Sequence, residues 1–218
     1  MYTEAFGRAS YLVSRNRGKK STVSKALFIP LSVLEMEVEH LNKRDLHRIK
    51  ETRICFPLND VCCDPVKNVL ALFLSEVLFR VVKDTEPDPR LFDYLYESIH
   101  LLEYADKGIA NFHMVFLLGL LHHLGIFPNM ESHRVGYYFD MLNGVFTDHI
   151  PMHRHYLNKV ESAFFSRLLR ISFENMSLYG FSRQERVRII HRILEYYRLH
   201  LPDFTEIKSL SVMQSLFD

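Results

Sequence analysis

A chain of 218 residues with 48% hydrophobic and 24% charged side chains has an ordinary globular composition, which excludes a disordered, collagen-like or disulfide-framework protein. The net charge of +1 forbids an argument from bulk charge, but the halves differ in sign: 11 Lys/Arg against 7 Asp/Glu up to Asp60, so +4, then 16 against 19, so −3. The three thiols, Cys55, Cys62 and Cys63, are an odd number that includes an adjacent pair, and no charged-then-apolar leader precedes them, so a reducing cytoplasm is expected.

In chain order, the first 56 residues read as strands. Ala9, Tyr11 and Val13 share a face within a strand expected at Arg8 to Ser14. Leu34, Met36 and Val38 alternate with Glu35, Glu37 and Glu39 at the period of two that one buried sheet face requires, and a third strand is expected over Leu46 to Ile54. Between the first two, SRNRGKKSTVSK (Ser14 to Lys25) has no apolar periodicity and reads as a loop. An antiparallel β-domain follows from this pattern.

After Phe56 the texture becomes helical. Asp64-Pro65 and Asp88-Pro89 each set an acceptor side chain at an N-cap and a proline where its missing N–H is harmless, so two helices start there. From Gly108 to Met130 there is no Asp, Glu, Lys or Arg, a length near that of a membrane span. Asn111, His113, His122, His123 and Pro128 interrupt it, so a buried core helix ending at Gly125 is expected and no membrane association. Further helices are expected over Asn158 to Ser172, from the capping box Ser182-Arg-Gln-Glu185, and from near Thr205. Within this half, YFDMLNGVF (Tyr138 to Phe146) carries Asn143-Gly144 between short apolar runs and predicts a hairpin with a type I′ turn.

Chemistry is sparse. No two glycines lie closer than six positions, so no dinucleotide fingerprint or Walker A loop can be written. Glu35, Glu37 and Glu39 read as a solvated outer strand face, Cys62-Cys63 as ordinary thiols and His122-His123 as structural. His149, His153 and His155, with His133 ahead of them, have spacings from which imidazoles can converge on one metal, but Pro151 breaks the helical pairing and no cysteine accompanies them. Hydrogen-bonded histidines are the default there, and no catalytic residue, metal or cofactor is assigned. What remains is basic. Arg8, Arg15, Arg17, Lys19, Lys20 and Lys25 occur with no acid between Glu4 and Glu35, and Lys43, Arg44 and Arg48 form a second cluster. Such cations release counterions from phosphates, and Tyr2, Phe6 and Tyr11 nearby are rings able to stack on unpaired bases.

The segments GRASYLVSRNRGKK, ALFIPLSVLEMEVEHLNKRDLHRIKE, DPVKNVLALFLSEVLFRVV, IANFHMVFLLGLLHHLGIFPN and YYRLHLPDFTEIKSLSVMQSLF, in that order, resemble the bacterial recombination mediator family RecO in its Bacteroidetes form. The resemblance implies an α+β fold: an OB-fold-like antiparallel barrel over residues 1–56, then a helical domain over residues 57–218 with a hairpin insertion at about 127–155. The family's barrel begins with a strand ahead of the segment matching YTEAFGRASYLV, so the barrel is expected to be incomplete, with an exposed edge. Many RecO proteins also carry a four-cysteine zinc module after the motif that reads here Leu124-Gly-Ile-Phe-Pro128, yet Asn129 to His155 contains no cysteine, so packing is expected to replace it.

The resemblance further implies a non-enzymatic DNA repair and recombination role, nucleoid-associated in the cytoplasm. The partners would be single-stranded DNA, RecR, single-strand-binding protein and, indirectly, RecA, with strand annealing as a further activity. Carry-over to residues is limited to Arg8, Arg15, Arg17, Lys19, Lys20, Lys25, Lys43, Arg44 and Arg48. Two rivals remain: a metal-dependent nuclease or hydrolase using His149, His153 and His155, and a scaffold that binds only protein.

Overall fold

The computed structural model describes residues 1–13, 25–41 and 44–216. It is a mixed α+β protein, and its contacts divide it into two compact units. One comprises residues 1–104 with 207–216, the other residues 105–206. Strands give way to helices between Ile54 and Asn59, as the texture predicts, but the units divide between Tyr104 and Ala105. The reason is packing, since the first three helices and the last one belong with the strands.

In the first unit, β1 (Tyr2–Thr3) and β2 (Gly7–Arg8) form an antiparallel pair. Gly7 has φ +58°, and any Cβ there would run into the Glu86 carbonyl, so only glycine fits. A second sheet has the order β3-β5-β4, from β3 (Ser10–Leu12), β4 (Leu34–Glu39) and β5 (Leu46–Ile54). β4 and β5 are antiparallel, but β3 runs parallel to β5, with Tyr11 opposite His47. The sheet is therefore mixed, which corrects the antiparallel expectation. Alternation reports which face a side chain takes and carries no information on strand direction. Between Glu37 and Val38 the register shifts so that Lys50 is passed over, keeping Ile49 buried while Lys50 faces solvent.

Helix starts follow their caps. Asp64 accepts from the Val66 and Lys67 amides at the head of α2 (Pro65–Val81), after the short α1 (Asn59–Cys63) that the sequence pattern did not reveal. Asp88 accepts from Arg90 and Leu91 at the head of α3 (Pro89–Tyr104). Leu70, Phe73, Leu74 and Val77 of α2 form the core of this unit with Leu91, Leu95 and Leu102 of α3.

The second unit is built on α4 (Ile109–His123), buried almost all round, and α6 (Arg183–His200). Tyr197 of α6 donates its hydroxyl to the Leu117 carbonyl at 2.7 Å, and Asn111 donates to the Met176 and Tyr179 carbonyls at 2.9 and 2.8 Å. The Asn111 amide nitrogen on so apolar a helix thus finds acceptors inside the unit. Among the described residues no helix is long and apolar enough to cross a membrane. α5 (Lys159–Leu168) opens on a capping box, Asn158 with Glu161, and stops short of the expected Ser172.

The hairpin is real but differs in its turn. β6 (Tyr138–Asp140) pairs with β7 (Val145–Thr147) and, on its other side, with β8 (Tyr156–Leu157), making three strands. Four residues, 141–144, connect β6 to β7, and Gly144 has positive φ while Asn143 does not, so a type I′ turn is excluded. Asp140 closes the loop instead, accepting from the amides of Leu142 and Asn143 and from Asn143 Nδ2 at 2.8 to 3.0 Å. Phe139 and Phe146 sit together in the core beneath it, 4.8 Å between ring centroids.

Candidate nucleic-acid interface

Of the nine basic residues singled out, Arg15, Arg17, Lys19, Lys20 and Lys43 lie outside the described residues. Lys25 opens a 3-10 turn over Lys25–Leu27. Arg8 is occupied within the first unit. Its guanidinium donates to the Phe79 and Val82 carbonyls at 3.1 and 2.9 Å and lies 4.7 Å from the Phe79 ring centroid, tying β2 to the C-terminal end of α2 where the helix dipole favours a cation. Sequence spacing gave no sign of this role, because its partners are more than 70 positions away.

Arg44 and Arg48 are exposed on the β4–β5 connection and on β5. The outer face they border is balanced in charge. Glu35 takes a 2.9 Å hydrogen bond from Arg53 Nε, Glu37 lies 3.6 Å from Lys50, and Glu39 stands opposite Arg48 in register. The hydrogen bond from Arg53 holds the Glu35 carboxyl below its usual range. The acidic strand is a solvated, paired face as expected, and such exposed pairs add little stability.

The opposite face of the same strands carries a column of rings. Phe6, from the β1–β2 turn, stacks on His40 at 3.8 Å with planes 5° apart, and His40 stacks on His47 at 3.9 Å and 21°. Tyr11 of β3 meets His47 from the other side at 5.8 Å, tilted by 52°. His47 is 7% exposed and its Nδ1 accepts from the Leu41 amide at 3.3 Å, which puts the ring proton on Nε2 and pins the β4–β5 connection. Burial, with the neighbouring His47 second, holds the His40 pKa below that of an ordinary imidazole. Phe6 and Tyr11 were legible as candidate stacking rings, whereas His40 and His47 were not, since nothing local marks a histidine that stacks across strands. Tyr2, the third ring, instead donates its hydroxyl to the Asp88 carbonyl at 3.3 Å.

The histidines of the second unit go to separate partners. His149 Nδ1 lies 2.8 Å from Thr147 Oγ1 and 3.0 Å from Asp148, His153 Nε2 lies 3.2 Å from Asp140, and His155 Nδ1 lies 3.3 Å from Glu195. His133 packs its ring edge-on against Phe146. Among the described residues no group of three His, Cys, Asp or Glu side chains is placed to hold a metal ion. The convergence that the spacing allows is therefore not formed, because each imidazole is drawn to its own neighbour. The three cysteines are all exposed and unbridged.

This unit also holds a groove of about 520 Å³ between α5 and α6, lined by the apolar Phe164, Phe165, Leu168 and Ile189 and by the charged Glu161, Glu185, Arg188, Arg192 and Glu195.

Comparison with known proteins decides the family. The family profile described as Recombination protein O C terminal matches residues 63–210. DNA repair protein RecO from Bacteroides fragilis is 44% identical over 219 residues, covering 100% of this chain and 90% of that protein. The chain belongs to the RecO family. RecO from Azobacteroides pseudotrichonymphae is 42% identical over 99% of this chain and 90% of its own length, and RecO from Porphyromonas gingivalis is 36% identical over 100% and 91%. The RecO resemblance of the sequence motifs is thus confirmed along nearly the whole chain, and with it a role in DNA repair and recombination.

Proposed function

We propose that the protein is a non-enzymatic recombination mediator that holds single-stranded DNA on its first unit and recruits partner proteins. The observation that carries this reading is the match to DNA repair proteins RecO over essentially every residue. The exposed Arg44 and Arg48 and the acid-free basic run support phosphate tracking, and the separated histidines give no support to a metal-dependent nuclease. In this reading RecR and single-strand-binding protein are partners, RecA is loaded indirectly, and complementary strands are annealed.

The test is electrostatic. Replacing Arg15, Arg17, Lys19 and Lys20 together by Gln is expected to weaken binding to all single-stranded sequences alike. It should flatten the plot of log K against log salt by about 0.7 for each phosphate that is no longer neutralised. A slope identical to that of the unaltered chain would remove the basic segment from the interface.

The groove between α5 and α6 is the place we assign to the tail of single-strand-binding protein, because its lining joins the apolar Phe164, Phe165 and Leu168 to Arg188 and Arg192, two cations set among Glu161, Glu185 and Glu195. Phe164→Asp is expected to abolish binding of the tail peptide by titration calorimetry while DNA binding stays intact. Retained peptide binding would place the tail elsewhere.

A further inference from the structure

We propose that the Phe6–His40–His47 column is a base-stacking platform, on which an unpaired base rests against Phe6 while Arg44, on the connection that joins His40 to His47, offers a cation to a flanking phosphate. This rests on the single-strand reading above and names the residues that would grip the bases. Three observations carry it. The rings are stacked at 3.8 and 3.9 Å with planes 5° and 21° apart, so the column already has the geometry that another flat ring would extend. Phe6 has one face on His40, is only half-buried, and lines an open groove of about 720 Å³. Arg44 is exposed on the short connection between His40 and His47, so a cation suited to phosphate lies close along the chain to both imidazoles.

Packing alone is a poor explanation of the column. Leu34, Met36 and Val38 occupy the same face of β4 and would have continued as an ordinary apolar row. Instead the row ends in His40, whose Nδ1 is buried with no hydrogen-bond partner among the described residues. His40 as a whole is half-buried, but a buried ring nitrogen left unpaired is a cost that a leucine would avoid. Flat rings stack on any base, so the platform would be tolerant of sequence, which suits a protein that must act on single strands of any origin.

The experiment compares two strands of equal length and equal charge, oligo-dT and its abasic counterpart, by fluorescence anisotropy at fixed salt with the full chain. For the unaltered protein oligo-dT should bind more tightly. Phe6→Leu keeps apolar volume and removes the ring plane, and His40→Ala removes the middle of the column. Each should weaken oligo-dT roughly tenfold while leaving the abasic strand and the salt slope unchanged. His40→Phe keeps a ring plane in the column and should keep the preference for oligo-dT. Circular dichroism establishes that each variant is folded, and the comparison of the two strands by the unaltered chain tests the platform without any variant. Equal binding of both strands by the unaltered chain, or equal weakening of both in the variants, overturns the platform and leaves the single-strand reading standing. Binding of neither strand overturns both.

Discussion

Glu103→Ala is expected to cost the first unit about 3 kcal/mol, read as a lower urea midpoint by circular dichroism with an unchanged slope. Glu103 lies on α3 and is 3% exposed. Its two carboxylate oxygens accept from the backbone amides of Asp60 and Val61, at 2.9 and 3.0 Å, and so cap the first turn of α1 from another element. Leu58, the residue at the N-cap position, makes no side-chain cap of its own. Beside it Lys67, 5% exposed, donates to the Glu103 carbonyl at 2.6 Å and to Asp60 Oδ2 at 3.3 Å. Removing the carboxylate leaves the two amides without acceptors, while Lys67 keeps the Glu103 carbonyl and Asp60. Glu103→Gln, with one oxygen left to accept, should fall between the two. A midpoint for Glu103→Ala equal to that of the unaltered chain would mean that α1 holds its position without the cap.

That cap also shows where sequence reasoning stops. α2, α3 and α6 were legible because Asp64, Asp88 and Ser182 cap their own helices within three positions. α7 (Ser209–Leu216) starts four residues beyond the expected Thr205, because its first amides are taken by Glu76 of α2, at 3.0 Å from Lys208 and 2.8 Å from Ser209. A carboxylate more than 130 positions away leaves no local pattern. The same distinction explains the interface. Phe6, Tyr11, Arg44 and Arg48 could be picked by residue type, but the stack on His40 and His47 exists only once β3, β4 and β5 are in register. Arg8 could be picked too, yet its guanidinium is taken by carbonyls at the end of α2. Asn143-Gly144 signalled a hairpin correctly, while Asp140, just outside the turn, decided its loop.

Acid should destabilise the second unit in a way that a single substitution removes. His113 sits in the middle of α4, 2% exposed, among the apolar side chains that make up most of that helix. Burial, with the Arg186 charge second, pushes its pKa down to about 3 from 6.5. The folded pKa lies below the unfolded one, so the stabilising contribution is complete above pH 6.5 and is lost as pH falls toward 3. In that window the unfolded chain binds a proton that the native state refuses. The loss is roughly 1.4 kcal/mol for each pH unit, about 3 kcal/mol between pH 6.5 and 4.5, a large share of a typical domain's stability. Carboxylates across the protein add their own acid sensitivity, so the comparison must be made against a variant that differs at this one group. His113→Gln keeps a polar amide and cannot titrate in the range. Its stability at pH 7.5 is free to be lower, because only the pH dependence is read. Urea titrations of both proteins at pH 7.5, 6.0 and 4.5 should show the gap between them shift by about 3 kcal/mol in favour of the variant at the acid end. Parallel pH profiles would mean that His113 takes up a proton in the folded state, and therefore that water or a carboxylate reaches α4.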